Sequence, residues 1–402
     1  MPPWSANFAP RDSGTSCCAK ITEFELRGHM RKDFLDGIRG WAALMVVGSH
    51  FIANFAAHAS PVYDWRVLRF PTDGEMAVYI FFVISGFALS SSYIEKRHSS
   101  ILTSLALRRY VRLTIPILAS SILAFVLVRG GLLFNRQAGV LAQSNNWLGA
   151  FYAFDSSFGD MLRFALFNVY FSYDGLHTYN PVLWTMAIEL AGSVVVLSAL
   201  ALFGSIGRRP FYIVSIGLCW LLKTPLLAFI LGMGIAELYN RFVHSMSGTN
   251  LEKVGAGVLI CFGIGFSYVG RGYYGNPRLL SVAACAIVIG IIWNSQTRAF
   301  FSNGISRALG RISFPIYLTH LLVLCSFSSY IYVRLIGSGA SQTTAVNWTL
   351  LASIPVVITA AFAFEPVERL SIVLGRQFAN ILMRDSIAGA RKPNYKSAPG
   401  AD

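Results

Sequence analysis

His50 stands near the end of DFLDGIRGWAALMVVGSHF (33–51), a stretch that turns apolar at Trp41 yet also carries Asp36 and Arg39. A neutral imidazole is the side chain best suited to take a proton from a hydroxyl near neutral pH. Arg39 and His50 are eleven positions apart, about three helical turns, so they share nearly one face about 16 Å apart along the axis. A guanidinium there can hold a phosphate or polarise a carbonyl. Asp36, one turn before Arg39, is placed to pair with it. Glu189 lies inside a second apolar run, where an unpaired carboxylate should not persist. It can pair with Arg39 or a downstream arginine, or orient His50. Arg108, Arg109 and Arg112 open another run, Arg108 and Arg112 one turn apart. They suit phosphate recognition and equally serve to fix topology. Ser313, Tyr317 and His320, at i, i+4 and i+7, share a polar face expected to line the same cavity. His320 is read as helping to bind a second substrate or standing in as base, with a packing role as the alternative. For His50 the alternative is a buried ring bonded between helices. Ser85 beside Gly86 suggests close helix packing rather than a nucleophile. Glu365 and Glu368 read as helix-end ion pairs.

The elements that must carry these groups are membrane helices. The chain has 402 residues, 54% hydrophobic and only 13% charged, with mean hydropathy +0.55. That excludes an ordinary water-soluble globular protein, and the continuous runs lack the alternation of a β-barrel. The expected fold is all-α, a polytopic bundle of about ten transmembrane helices: 39–57, 76–93, 113–129, 182–203, 210–222, 225–240, 254–270, 279–295, 313–334 and 347–364. The two around Lys223-Thr224-Pro225 are short. Ionisable groups inside such helices face protein or a wet cavity, so function is the default reading.

A net charge of +14 does not point to nucleic acid, because the basic residues fall in short segments between apolar runs. They alternate so as to place both termini in the cytoplasm. Residues 1–32 read as a polar segment, with Met30 a natural alternative start. The membrane domain is expected over 33–370 and a cytoplasmic tail over 371–402. The long interruption at 130–180 is aromatic and amide-rich, with 161–171 apolar enough for a surface or re-entrant helix. Such a loop suits a carbohydrate and equally an ordinary interfacial aromatic belt. Four cysteines lie in apolar runs and act as small hydrophobes. Cys17 and Cys18 lack metal-site spacing, and no metal site is expected.

LDGIRG with R-x10-H, FFVISGF (81–87), RRYVR (108–112), PVLWTMAIEL (181–190) and ISFPIYLTH (312–320) resemble, in order, the segments of the acyltransferase-3 family of integral-membrane O-acyltransferases. The resemblance spans about 33–370. Thr185 stands where many members have Ser. It implies transfer of an acyl group, in the first place acetyl, from cytoplasmic acyl-coenzyme A to a hydroxyl of a glycan or glycolipid. The donor is a co-substrate and no bound cofactor is implied. His50 matches the family's histidine, Glu189 the acid of its P-x-W-S/T-x-x-x-E segment, and the arginines at 108, 109 and 112 its donor-binding cluster. A bacterial inner membrane follows from the family alone. The rival from the residues is a transporter or flippase using the same groups as a pathway, against which no two-fold repeat is visible. Oligomeric state is not legible.

Overall fold

The computed structural model describes residues 33–204, 209–242, 249–268 and 275–390, and among these the chain forms helices and no strands. Apolar runs in lipid demand this, since each backbone N–H and C=O must be satisfied within its own segment. The helices are α1 (Asp33–Ala59), α2 (Gly74–Lys96), α3 (Ser99–Arg129), α4 (Asn135–Leu141) and α5 (158–171). Then follow α6 (Thr185–Phe203, led by a 3-10 turn at Pro181–Trp184), α7 (Arg209–Leu221), α8 (Leu226–Phe242), α9 (Asn250–Phe266) and α10 (Pro277–Trp293). The last four are α11 (Ser295–Phe301), α12 (Gly304–Arg311), α13 (Ser313–Gly337) and α14 (Gln342–Ala390).

The described part of each expected segment falls on a helix, residues 269 and 270 of the seventh lying outside the described residues, but not all are long enough to cross. Six are long and apolar enough: α1, α2, α3, α6 with its 3-10 lead, α13, and Gln342–Met383 of α14. The α10 helix qualifies only together with α11, from which it is bent by 99°. The α7, α8 and α9 helices run 13, 17 and 17 residues. At 1.5 Å per residue that is about 20–26 Å, short of a hydrocarbon core of about 30 Å. Among the described residues, length and composition therefore give six or seven crossings where ten were expected. The exposed faces suit lipid: Val126, Val194, Ile213, Leu222, Val258 and Leu351 are each more than half exposed.

The α2 helix is the centre of the bundle, packed against α1, α6, α8 and α10. Its approach to α8 is backbone to backbone. A Cβ on Gly86 would sit 2.1 Å from the Phe229 carbonyl oxygen, and one on Gly232 2.0 Å from that of Val83. Close packing at Ser85-Gly86 is thus what the structure shows. The α14 helix lies along α3 and α13 and passes residue 370 without a break. Residues 1–32 and 391–402, with Cys17, Cys18 and Met30, lie outside the described residues.

Successive long helices run in opposite senses, giving the bundle two unlike ends. One, the basic end, gathers Arg39, Arg108, Arg109, Arg112, Arg307, Arg311 and Arg369 around two neighbouring cavities. The other is covered by residues 130–157, which fold as a cap against the far ends of α1 and α13. Buried Asn135 donates through Nδ2 to the Leu148 and Phe151 carbonyls at 2.9 and 3.0 Å. The 158–171 helix buries Met161, Phe164, Ala165 and Val169 and runs back along α3, from Phe125 beside Phe158 to Tyr110, whose hydroxyl donates to the Leu166 carbonyl at 2.6 Å.

Candidate active site

The α1 helix supplies the first group. Regular to Gly48, it widens into a π-helix over Ser49–Ala56, so His50 occupies the first wide turn. Such turns recur at functional sites because they redirect side chains. The α13 helix does the same over Leu324–Ser328, just beyond His320. The two histidines meet: His50 Nδ1 and His320 Nε2 are 2.7 Å apart. Their rings are 9° from parallel with centroids 5.0 Å apart. One ring radius on each side accounts for the difference between these separations, so the rings lie edge to edge in nearly one plane, not face to face. Trp147 of the cap flanks His50, ring centres 5.5 Å apart. His320 is fully buried, whereas His50 keeps part of its surface accessible.

From the basic end, a cavity of about 220 Å³ runs towards this pair. Its wall along α2 extends from Val78 to Ser92, fourteen residues and so about 21 Å. Arg39, Arg108, Arg109 and Arg112 line it, with Ser85, Thr185, Glu189, Tyr317 and Glu368. Glu189 is satisfied within the wall. Its Oε1 accepts from the Arg109 guanidinium and, at 2.6 Å, from Ser85 Oγ. Arg109 Nε donates to Ser193 Oγ at 2.7 Å, which in turn donates to the Glu189 carbonyl at 2.6 Å. The arginine is thereby held in one orientation. Tyr317 sits at the deep end. Its hydroxyl donates to the Val182 carbonyl at 2.6 Å, so Thr185 Oγ1 supplies the proton of the 2.8 Å bond between the two hydroxyls. Tyr317 and His320 ring centres are 6.2 Å apart, which places the histidine pair one turn beyond the cavity's end.

A second cavity, about 400 Å³, opens beside the first at the basic end. The two share Arg39, Arg112 and Glu368, and the second adds Asp33, Asp36, Arg307, Arg311, Glu365 and Arg369. At the opposite end a third hollow, about 370 Å³, is lined by His58, Gln143, Ser144, Asn145, Asn146 and Trp147.

The structure therefore brings Arg39, Arg108, Arg109, Arg112, Glu189 and Tyr317 to one cavity, and His50 and His320 to each other. It selects among the alternatives for Glu189 and corrects two other expectations. Glu189 takes the arginine-pairing alternative, with Arg109, and does not orient His50, whose bonded partner is His320. Ser313 leaves the polar face: its Oγ donates to the Gly310 carbonyl at 2.9 Å, and neither it nor His320 lines the cavity. Glu368 is no peripheral ion pair, because it faces Arg39 and Arg112 between the two cavities. Glu365 alone fits that description, pairing with Arg369 at 2.6 Å and Arg311 at 4.0 Å. Asp36 stands 3.9 Å from Arg39, as expected. Two placements were not anticipated, Glu368 at the cavities and Trp147 beside His50. The signal for Glu368 was an acid one turn past the end of the last expected span; Trp147 follows the polar run QSNN.

Helices alone do not define a reaction; the segments that form this site do. Residues 32–365 match the family described as an acyltransferase domain, and the chain belongs to this acyltransferase-3 family. It is similar to O-acetyltransferase PaAT-1 of Phomopsis amygdali, 23% identical over 426 aligned residues that cover 87% of this chain and 85% of the relative. It is also similar to acyltransferase MdmB of Streptomyces mycarofaciens, 25% identical over 322 residues, 73% of this chain and 79% of the relative. No solved structure matches. The protein is thus a membrane-embedded enzyme that transfers acyl groups other than amino-acyl groups.

Proposed function

We propose that this enzyme moves an acetyl group from acyl-coenzyme A, bound from the basic end, to a hydroxyl of a glycan or glycolipid that approaches His50 from the capped end. The observation that carries the reading is one continuous arrangement: a cavity lined by four arginines that ends one turn short of the His50–His320 pair, in which His50 is the residue not fully buried. Phosphates of the donor need fixed, permanently charged guanidiniums. A cavity of about 220 Å³ is below the usual about 300–1,000 Å³ of a whole-ligand site. It therefore suits the narrow acylated arm, with the nucleotide in the second cavity among Arg307, Arg311 and Arg369. The relative named an O-acetyltransferase supports acetyl and a hydroxyl acceptor.

In the proposed reaction His50 takes the hydroxyl proton as the oxygen attacks the thioester carbonyl. A C–O bond forms, the C–S bond breaks, and the proton passes from the imidazolium to the departing thiolate. The amides and indole of the third hollow offer the hydrogen bonds and flat apolar face that a polyhydroxylated acceptor uses. The basic end faces the cytoplasm in this reading, by the bias of arginines and lysines to that side, and the termini with it. Ten crossings require α7, α8 and α9 to span as short or tilted helices. A bacterial inner membrane rests on the family resemblance.

Membranes holding the wild type or His50→Ala, given labelled acetyl-coenzyme A and host glycans, test this. Base-labile label in the glycan fraction from the wild type alone supports O-acetylation through His50. Label surviving in the variant removes His50 from the chemistry, and none from either refutes the acetyl donor or the acceptor. The pair Arg108→Ala with Arg112→Ala should raise the donor KM by at least about tenfold while leaving the acceptor KM within about twofold. Equal effects on both would remove the donor from that end.

A further inference from the structure

The hydrogen-bond pattern around the two histidines fixes which nitrogen does the work. His320 Nδ1 lies 2.8 Å from the Ile316 carbonyl oxygen. A carbonyl only accepts, so Nδ1 carries the proton. The neutral ring then has a bare Nε2, which must accept from its neighbour. His50 Nδ1, 2.7 Å away and nearly in the same plane, is therefore the donor. A neutral His50 protonated at Nδ1 has its lone pair on Nε2, on the ring edge turned from His320. His320, fully buried with both nitrogens engaged, has none left for a substrate.

Resting on the acyl-transfer reading, we propose that His320 is a positioning residue that holds His50 in the Nδ1–H tautomer, leaving Nε2 as the base. The arrangement does with a second imidazole what a carboxylate does in a serine-protease triad. Three things anchor it: the Ile316 carbonyl orients His320, the helix orients the carbonyl, and His320 orients His50. When Nε2 takes the acceptor's proton, the Nδ1–H bond becomes charge-assisted and stabilises the imidazolium until the proton passes to the leaving thiolate. A carboxylate at that position would carry a full charge into the bundle centre; a neutral ring with a fixed dipole avoids that desolvation.

Two amide variants separate this role from packing. In His320→Gln the longer amide places its oxygen near the former Nε2, where it accepts from His50 Nδ1–H. In His320→Asn the shorter amide reaches only the former Nδ1 position and offers His50 no acceptor. At matched thermal stability, kcat should stay within about tenfold of wild type for Gln and fall about 10²–10⁴-fold for Asn, the range for a lost base or wrong tautomer. The donor KM should hold within about twofold in both. Equal activity of the two variants, or Asn above Gln, overturns the proposal. Nitrogen NMR of histidine-labelled wild type in bilayers supplies a test that needs neither turnover nor a variant. His50 must show a protonated Nδ1 and bare Nε2, and the reverse pattern overturns the assignment. If no acyl donor is turned over, the functional reading fails while this spectrum still decides the tautomer.

Discussion

At the scale of single residues, the site is a set of charges made tolerable by specific partners. Glu189 and Arg109 have side chains only 13% exposed, where removing one ion leaves the other uncompensated. Glu189→Gln keeps an oxygen for Ser85 but takes away the charge opposite Arg109. It should lower the thermal midpoint and raise the donor KM several-fold, with kcat at saturating donor changed much less; a loss confined to kcat would instead put Glu189 at the reacting atoms. Sequence revealed that Glu189 needed a partner, because a carboxylate in an apolar run is costly wherever the helices lie. It did not reveal which partner, since pairing depends on how α3 and α6 pack. The His50–His320 bond was hidden for the same reason. It joins positions 270 residues apart, and helical periodicity says nothing across that distance. Ser313 went wrong because a shared face ignores its own option of bonding backward to Gly310, as Ser does near helix starts.

At the scale of elements, apolar length located all ten helices, while their ends depended on capping that the runs do not encode. Asp73 shows the cost of one such cap. It lies just outside α2, where its Oδ1 accepts from Met76 N at 2.9 Å and its Oδ2 from Ser267 Oγ at 2.7 Å, tying the start of α2 to the end of α9. It is 1% exposed, and burial pushes its carboxyl above the ordinary value despite both bonds. The contribution of such a group is fully present below its unfolded pKa, about 3.9, and is lost as pH rises through the raised folded value. Asp73→Asn keeps the cap acceptor and has no proton to lose. Its stability relative to wild type should therefore improve as pH rises from about 4 to about 8, read as the difference in thermal midpoints. A difference independent of pH would mean that Asp73 is ionised at no cost. Asp73→Ala loses both bonds and should be less stable than Asn by about 1–2 kcal/mol at every pH. The π-turns at His50 and beyond His320 were equally illegible, because no residue type marks them.

At the scale of the molecule, the site makes sense only with a direction. The arginines stand at one end, the amide-lined hollow beside Trp147 at the other, and the histidine pair lies between them. If the donor is the cytoplasmic thioester proposed above, it meets the arginines first and the basic end faces that compartment. The charge bias predicts the same sense independently, from loops as well as from the site. In a variant freed of native cysteines, His98→Cys lies exposed between α2 and α3 at the basic end, and Ser338→Cys lies exposed between α13 and α14 at the other. A membrane-impermeant maleimide added to intact cells should label Ser338→Cys at once and His98→Cys only after permeabilisation. The opposite pattern would put four guanidiniums on the side without coenzyme A. The acyl donor would then have to be something other than a cytoplasmic thioester, although the histidine geometry would stand unchanged.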